Sequence, residues 1–455
     1  MEHIAKMVEN QRAYFLSEAT KPIDFRIQQL RKLKTILKAN EQEMIEGIYQ
    51  DFKKSEFDTY TNELALLYAD IDEAIHKIKR WTKVKRVRTN LVNFPAKSYI
   101  IPEPLGVALV IGAWNYPYQL SLAPMVPAIA AGCTVVLKPS ELPSNTSRII
   151  AKVINENFDS KYLAVIEGGI AETTALLEQK FDKIFFTGSV PVGKIVYQAA
   201  AKHLTPVTLE LGGKSPAFIT EKVNMKMAVK RLVWSKFLNS GQTCIAPDYV
   251  LVHRSVKQEF LDRLIVEIKA TEFSFEAGTF VQIINEKNVD RVAGLIDPAK
   301  VYYGGKVDCK NRYIEPTVMT NVNFEDKVML DEIFGPILPV IEYDNLSDAI
   351  CWVKERPKPL SCYLYTEDKA IKNRIVSEIS FGGGAVNDSV MHITNSHLPF
   401  GGVGDSGVGS YHGDAGFKAF SHYKSVLDKP TWIEFNLKYY PHTPFKLKWI
   451  KKLLS

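Results

Sequence analysis

Val107-Ala-Leu-Val-Ile-Gly112 opens a regular alternation that decides the fold. Four more apolar runs follow it: Thr134–Leu137, Leu163–Ile166, Ile184–Phe186 and Val207–Leu211. Helix-like segments such as Ser147–Phe158 and Gly193–His203 lie between most of them. Short apolar runs without polar alternation read as strands buried on both faces, and strands separated by helices predict a parallel sheet. The architecture expected is α/β and doubly wound, the Rossmann type that takes dinucleotides at the carboxyl ends of its strands.

Outward from that stretch the pattern changes on both sides. Upstream, residues 23–82 carry apolar side chains at helical spacing: Ile27, Leu30, Leu33 and Leu37, then Leu64, Leu67, Ile71, Ile75 and Ile78. Lys97–Ile101 reads as a short extended segment. Downstream, a second strand and helix series at Ala217–Ile219, Tyr249–Val252, Ile337–Ile341, Cys362–Tyr365 and Gly384–Asn387 predicts a second α/β domain beginning soon after Gly213. Gly- and Ser-rich segments at 381–384 and 400–413 punctuate its end. A chain of 455 residues is too long for one simple core, so two or three domains are expected.

Bulk composition narrows the function classes. Hydrophobic residues are 46% and charged residues 24%, an ordinary globular balance, and the net charge of +6 is small for this length. No nucleic-acid-binding motif is present, so no nucleic-acid partner is expected. The five cysteines (133, 244, 309, 351 and 362) are scattered, which suits a reducing compartment, and the nine histidines show no metal-ligand spacing, so no metal site is expected. The N-terminus lacks the apolar core of a signal peptide, and the longest apolar runs fall far short of the roughly 20 residues a membrane span needs. A cytoplasmic protein is the reading.

The chemistry centres on Asn239-Ser-Gly-Gln-Thr-Cys244-Ile-Ala-Pro247. A cysteine among small and polar residues, between a helix and a strand, can be reached by a substrate, although a lone cysteine is more often structural. Other segments add weight. Leu209-Glu-Leu-Gly-Gly213 ends a strand on a carboxylate, where a glutamate of raised pKa could take a proton from water; an exposed strand-end glutamate is the alternative. In Trp114-Asn-Tyr-Pro117 the Asn115 amide could donate to a developing oxyanion, or the segment could be a plain turn. Phe186-Thr-Gly-Ser-Val-Pro-Val-Gly193 joins a strand to a helix, with Gly188 permitting a sharp turn and the helix N-terminus offering N–H groups to a pyrophosphate. Glu332-Ile-Phe-Gly-Pro336, taken alone, reads as a structural loop.

Seven segments in order, WNYP at 114–117, KPSE at 138–141, FTGSVPVG at 186–193, LELGGKSP at 209–216, SGQTC at 240–244, EIFGP at 332–336 and PFGGVGDSG at 399–407, resemble the aldehyde dehydrogenase superfamily. The resemblance runs from about residue 10 to about residue 430. It is nearest to the class 3 and fatty-aldehyde branch, which the short N-terminus and the segment Met391–Gly413 both favour. The resemblance implies a Rossmann-type cofactor domain (1–82 and 104–211), an α/β catalytic domain (212–400) and a small β oligomerisation arm (83–103 and 415–432).

On matching residues the resemblance implies Cys244 as the nucleophile, Asn115 with the Cys244 N–H as the oxyanion hole, and Glu210 as the base that activates water. Aldehyde would pass through a thiohemiacetal and a thioester to the carboxylic acid. Glu332 would hold the nicotinamide ribose with Phe334 beside it, Lys138 and Glu141 the adenosine ribose, and Gly188, Ser189 and Gly193 the pyrophosphate turn. A carboxylate at Glu141 favours NAD over the 2′-phosphate of NADP, although the branch tolerates NADP.

Tyr116, Trp234 and Ile393 match a substrate tunnel for medium- to long-chain aliphatic or aromatic aldehydes; packing in the core of a helix over Met227–Leu238 is the other reading of Trp234. A homodimer is implied as well. The sequence departs from the family pattern at 271–310, which looks shortened. Residues 433–455 form a basic amphipathic tail whose end, 444–455, could lie on a membrane surface or could pack on a partner subunit or remain solvated. Two rival functions are an aldehyde dehydrogenase that passes the acyl group to CoA, which Glu210 disfavours, and a non-enzymatic relative, which the set of Asn115, Glu210 and Cys244 disfavours.

Overall fold

The computed structural model describes residues 2–275 and 278–454. Its first sheet has six strands in the order Gly407–Val408, Val207–Glu210, Lys183–Thr187, Val107–Ile111, Thr134–Lys138 and Leu163–Val165. All are parallel except Gly407–Val408. From the central strand Val107–Ile111 the chain winds outward one way, then returns to Lys183–Thr187 on the other side. That reversal opens a crevice at the carboxyl ends of the strands.

Alternate side chains of each strand enter different cores, and both are apolar. Ala108, Val110, Val135 and Leu137 pack with the helices Ile23–Ala39, Glu41–Phe52, Ala65–Trp81, Met125–Ala131 and Ser144–Asn155. Val107, Leu109, Ile111 and Val136 pack on the opposite face with Glu2–Leu16, Ile170–Leu177 and Val190–Ala201. This is the physical basis for the missing polar alternation in the sequence.

The second sheet has seven strands, in the order Val301–Tyr303, Thr317–Met319, Ile337–Tyr343, Tyr249–His253, Pro216–Ile219, Ser361–Tyr365 and Gly383–Val386. Only Val301–Tyr303 runs antiparallel. It is also covered on both faces, Phe218 and Leu251 packing one way, Ala217 and Val250 the other. Arg312 ties this half to the first, donating to the Asp51 carbonyl (2.9 Å) and to Gln282 Oε1 (2.6 Å). A third sheet, Lys85–Val87, Lys97–Pro104 and Ser421–Asp428, is antiparallel and largely exposed.

Several elements differ from the sequence reading. The helix expected over Ser147–Phe158 runs from Ser144 to Asn155, because its cap comes from elsewhere in the chain. Asp51 accepts from the N–H groups of Asn145 (3.1 Å) and Thr146 (2.8 Å) and from the Thr146 hydroxyl (2.6 Å). The helix expected at Gly193–His203 begins at Val190 and ends at Ala201, with Pro191 in its first turn. Strands Gly407–Val408, Val301–Tyr303 and Thr317–Met319 were not expected, and all three are short. Ser421–Asp428 falls within the β arm implied at 415–432; it shows no polar alternation because it is exposed along most of its length. Within 271–310, residues 276 and 277 lie outside the described residues, while Phe273 and Phe280 pack ring on ring and Glu286–Ala293 is helical. Among the described residues no helix is long and apolar enough to cross a membrane.

Asp51→Ala strips the acceptor from two N–H groups at the start of the helix Ser144–Asn155. The expected loss of unfolding stability is about 1–3 kcal/mol in a denaturant melt. An unchanged midpoint would show that the cap is supplied another way.

Candidate active site

The helix Met225–Phe237 ends in a turn that positions Cys244. Asn239, Ser240 and Gly241 are consecutive residues with φ of +54°, +55° and +71°. Left-handed backbone costs a non-glycine residue about 1–2 kcal/mol, so the turn persists only because its surroundings fix it. Asn239 Nδ2 donates to the carbonyls of Asn115 (3.0 Å) and Gln242 (3.1 Å), and the Ser240 hydroxyl donates to the Val281 carbonyl. Gln242 Nε2 donates to the carbonyls of Asn239 and Gln282, both at 3.1 Å, and its Oε1 accepts from Ile284 N (3.0 Å). A Cβ on Gly241 would lie 2.3 Å from the Gly335 carbonyl oxygen, so this turn and the loop after Glu332 touch backbone to backbone.

Against this turn lies the segment that follows the central strand. The buried Asn115 side chain donates from Nδ2 to the Gln242 carbonyl (3.0 Å), which leaves its second N–H for a ligand. The Tyr116 hydroxyl meets Thr243 Oγ1 at 2.7 Å. Cys244 is half-buried beside them. Burial raises its thiol pKa, and the carboxylates of Glu332 and Glu210 raise it further.

Glu210 ends its strand, paired with Thr187 on one side and Gly407 on the other. Its carboxyl is buried, and neither oxygen has a hydrogen-bond partner among the described residues. Burial alone pushes its pKa well above the ordinary range. Two partnerless buried oxygens on an acid are costly to keep, and they mark a site that serves something not held by the protein itself.

Glu332 reaches the same region from the second half of the chain. A Cβ on Gly212 would come within 1.9 Å of Glu332 Oε2, so only glycine lets this carboxyl lie there. Burial and the neighbouring Asp248 push the Glu332 pKa up to about 8. Its loop is anchored: Asp248 Oδ1 accepts from Ile333 N (3.0 Å), and Lys214 bridges Asp248 (2.5 Å) and the carbonyls of Val328 (3.0 Å) and Asp331 (2.9 Å). Phe334, at φ +46°, meets Trp114 edge to face with centroids 5.3 Å apart.

The residues read as cofactor-binding collect at the carboxyl ends of the first sheet. Ile111 is in register with both Lys138 and Phe186, so KPSE and FTGS flank the end of the central strand. Lys138 is buried, donates to the Pro139 carbonyl (2.6 Å) and faces the half-exposed Glu141 (3.5 Å). Ser189 begins the helix Val190–Ala201 without capping it through its side chain, so the first N–H groups of that helix stay open to an anion. Gly188 is needed for space, not for left-handed backbone: a Cβ would lie 2.6 Å from Phe186 Cζ. Gly193 lets the helix approach Leu211, 2.6 Å from the same kind of added atom. An open helix end, a half-exposed carboxylate and an unpartnered buried one together fit a dinucleotide.

Of the three residues read as tunnel-lining, Tyr116 is buried under Thr243. Ile393 packs against the same buried core as Cys244 and Trp114 and borders a cavity of about 100 Å³ with Leu66, Gln119 and His412. Trp234 is 40% exposed on its helix, which removes the core-packing reading. The sequence reading missed Lys54, Glu63, Asn239, Lys214 and Asp248. Asn239 alone carried a signal, since Asn tolerates the left-handed region at a helix end. No group of His, Cys, Asp and Glu among the described residues is arranged to hold a metal ion.

Comparison with known proteins agrees with this geometry. The aldehyde dehydrogenase family model matches residues 1–426. The chain is 46% identical to the 4,4'-diaponeurosporen-aldehyde dehydrogenase of Staphylococcus aureus, across 99% of each chain. It is 42% identical to aldehyde dehydrogenase family 3 member A2 of Pongo abelii, across 98% of this chain and 93% of that one. A solved structure, the substrate-bound state of Staphylococcus aureus AldH, superposes with a TM-score of 0.96 at 44% identity, covering 99% of both chains. The chain belongs to the aldehyde dehydrogenase family, in its class 3 branch. It is an oxidoreductase that oxidises aldehydes with a nicotinamide dinucleotide, NAD(P), as cofactor.

Because Glu332 stays protonated to about pH 8 when folded, against an ordinary 4.5, the native state holds a proton that the unfolded chain releases. Stability of the cofactor-free protein therefore falls as pH rises across that interval. Glu332→Gln should lose at least about 1 kcal/mol less between pH 5 and pH 8 in urea melts. Identical pH slopes in both proteins would count against a proton-holding Glu332.

Proposed function

We propose that aldehydes are oxidised through a thioester on Cys244 that Glu210 hydrolyses. The observation that carries this reading is the placement of a half-buried thiol among the Asn115 amide and two carboxyls of raised pKa. The Cys244 sulfur attacks the aldehyde carbon, and the spare N–H of Asn115 with the Cys244 backbone N–H takes the developing oxyanion. Removing such a donor costs about 3 kcal/mol of transition-state stabilisation.

The thiol pKa is raised, so the proton needs a nearby acceptor when sulfur attacks. That acceptor is solvent at the half-open thiol, and Glu210 is left for the later step, where its ionised carboxylate, of raised pKa, is the stronger base toward water. Bound NAD(P) supplies the hydride acceptor. Glu332 and Phe334 would hold its nicotinamide end, Lys138 and Glu141 its adenosine ribose, and the helix beginning at Ser189 its pyrophosphate. The half-exposed Glu141 supports a preference for NAD with NADP accepted. Glu210 then activates the water that cleaves the thioester, which favours water over CoA as acyl acceptor.

The substrate class proposed is medium- to long-chain aliphatic or aromatic aldehydes, entering past Tyr116, Trp234 and Ile393. Residues 1–82 and 104–211 would serve as the cofactor domain and 212–400 as the catalytic domain, with 83–103 and 415–432 pairing two copies. The exposed three-stranded sheet supports this last assignment.

The tail forms a helix, Pro444–Leu454, with no buried residue. Phe445, Leu447, Trp449, Leu453 and Leu454 are exposed among four lysines, which supports contact with an anionic membrane surface.

Two measurements test these proposals. Glu210→Gln should give a burst of NADH near one per site and then stall, while Cys244→Ala gives none and still binds NAD; normal steady turnover by Glu210→Gln would require another base. Liposome flotation should recover the full chain, but not one ending at residue 443, with anionic vesicles; equal behaviour of both sinks the membrane contact.

A further inference from the structure

Beneath the Asn115 segment lies an ion pair that no motif announces. Lys54 and Glu63 are both fully buried, with Lys54 Nζ 2.7 Å from Glu63 Oε1. Apart from the Phe52 ring, 5.4 Å from Lys54 Nζ, the other contacts of both side chains run to one short stretch of chain. Lys54 Nζ donates to the Asn115 carbonyl (3.4 Å) and lies 4.1 Å from the Tyr116 ring centroid. Glu63 Oε2 accepts from the N–H groups of Tyr118 (2.8 Å) and Gln119 (3.3 Å). Each residue is brought inward by a local break in helical geometry: Lys53, just before Lys54, is left-handed at φ +57°, and Glu63 sits in a π-helical turn, Tyr60–Leu64. Such turns are rare and frequent at functional sites.

A buried ion pair is a weak source of stability, since desolvation offsets most of the attraction and apolar residues of equal volume often serve as well. What this pair does that apolar residues could not do is hold backbone groups. It takes a carbonyl at residue 115 and two N–H groups at 118 and 119, and faces the ring whose hydroxyl bonds Thr243, next to Cys244.

We propose that Lys54 and Glu63 are positioning residues for the oxyanion hole. They clamp residues 115–119 at both ends, so that the spare N–H of the Asn115 side chain and the Cys244 sulfur keep one fixed relation. The inference rests on Asn115 as the oxyanion donor, and it extends that reading to two residues that touch neither substrate nor cofactor.

The test uses the full-length enzyme with saturating NAD and follows the rate constant of first-turnover NADH formation in Lys54→Met, Glu63→Gln, Lys54→Arg, Asn115→Ala and the double variant Lys54→Met/Asn115→Ala. A misplaced catalytic group can slow a reaction about 100-fold. Lys54→Met and Glu63→Gln are accordingly expected to slow the first turnover about 10- to 100-fold, with NAD affinity within about twofold of wild type and partial recovery in Lys54→Arg.

In the Asn115→Ala background the Lys54→Met change should add less than about twofold, because the group it positions is gone. A double variant slowed by the product of the two single effects would overturn the proposal. So would a slow Lys54→Met whose NAD binding fails in step, which would mark general damage. If Lys54→Met does not fold, Glu63→Gln, which keeps volume and an acceptor, enters the same cycle in its place. Asn115→Ala turning over normally would remove the oxyanion assignment itself and this inference with it. A slow Asn115→Ala beside normal Lys54→Met and Glu63→Gln would sink the inference alone.

Discussion

Three successive residues at positive φ, Asn239, Ser240 and Gly241, hold the rest of the site in place. A helix could not present Cys244 between the two halves of the molecule if it continued or ended in an ordinary cap. The left-handed turn reverses the chain and leaves Gln242 and Thr243 facing the Asn115 segment, with the thiol half-open beside them. Bonds within the turn, between Asn239 and Gln242, are joined by bonds to four distant residues: Asn115, Val281, Gln282 and Ile284. The Asn115 segment and residues 281–284 thus brace the turn that presents the nucleophile.

The carboxyls follow from the same arrangement. Glu210 ends a strand of the first sheet and Glu332 sits in a loop before a strand of the second, and both reach one dry region. Desolvation raises all three acids there, thiol included. An environment of this kind stores protons. It suits chemistry in which a proton leaves sulfur at the moment carbon is attacked, and in which a later proton must leave water.

The sequence made five strands of each sheet legible, because strands buried on two faces lose polar alternation and helices between them force parallel pairing. Val107–Ile111 and Tyr249–His253 illustrate this, since their alternate side chains fill different apolar cores. Illegible elements depended on partners far away in the chain. The helix at Ser144 is capped by Asp51, and the strand Ser421–Asp428 pairs along its length with Lys97–Pro104. The site divides the same way. Cys244, Glu210 and Asn115 stood in motifs, and so could be singled out. Lys54, Glu63 and Asp248, outside every quoted segment, and Lys214, inside LELGGKSP, act through backbone groups of distant segments, and neither spacing nor residue type betrays such contacts.

Everything returns to whether the sulfur at position 244 carries the substrate's acyl group. Glu210→Gln mixed with NAD and an excess of a medium-chain aldehyde, quenched in acid and digested, can be read by peptide mass. An acyl adduct, near one per chain, is expected on the peptide that contains Cys244, formed only when NAD is present. An unmodified Cys244 peptide after a completed NADH burst, or an adduct on another residue, would contradict it.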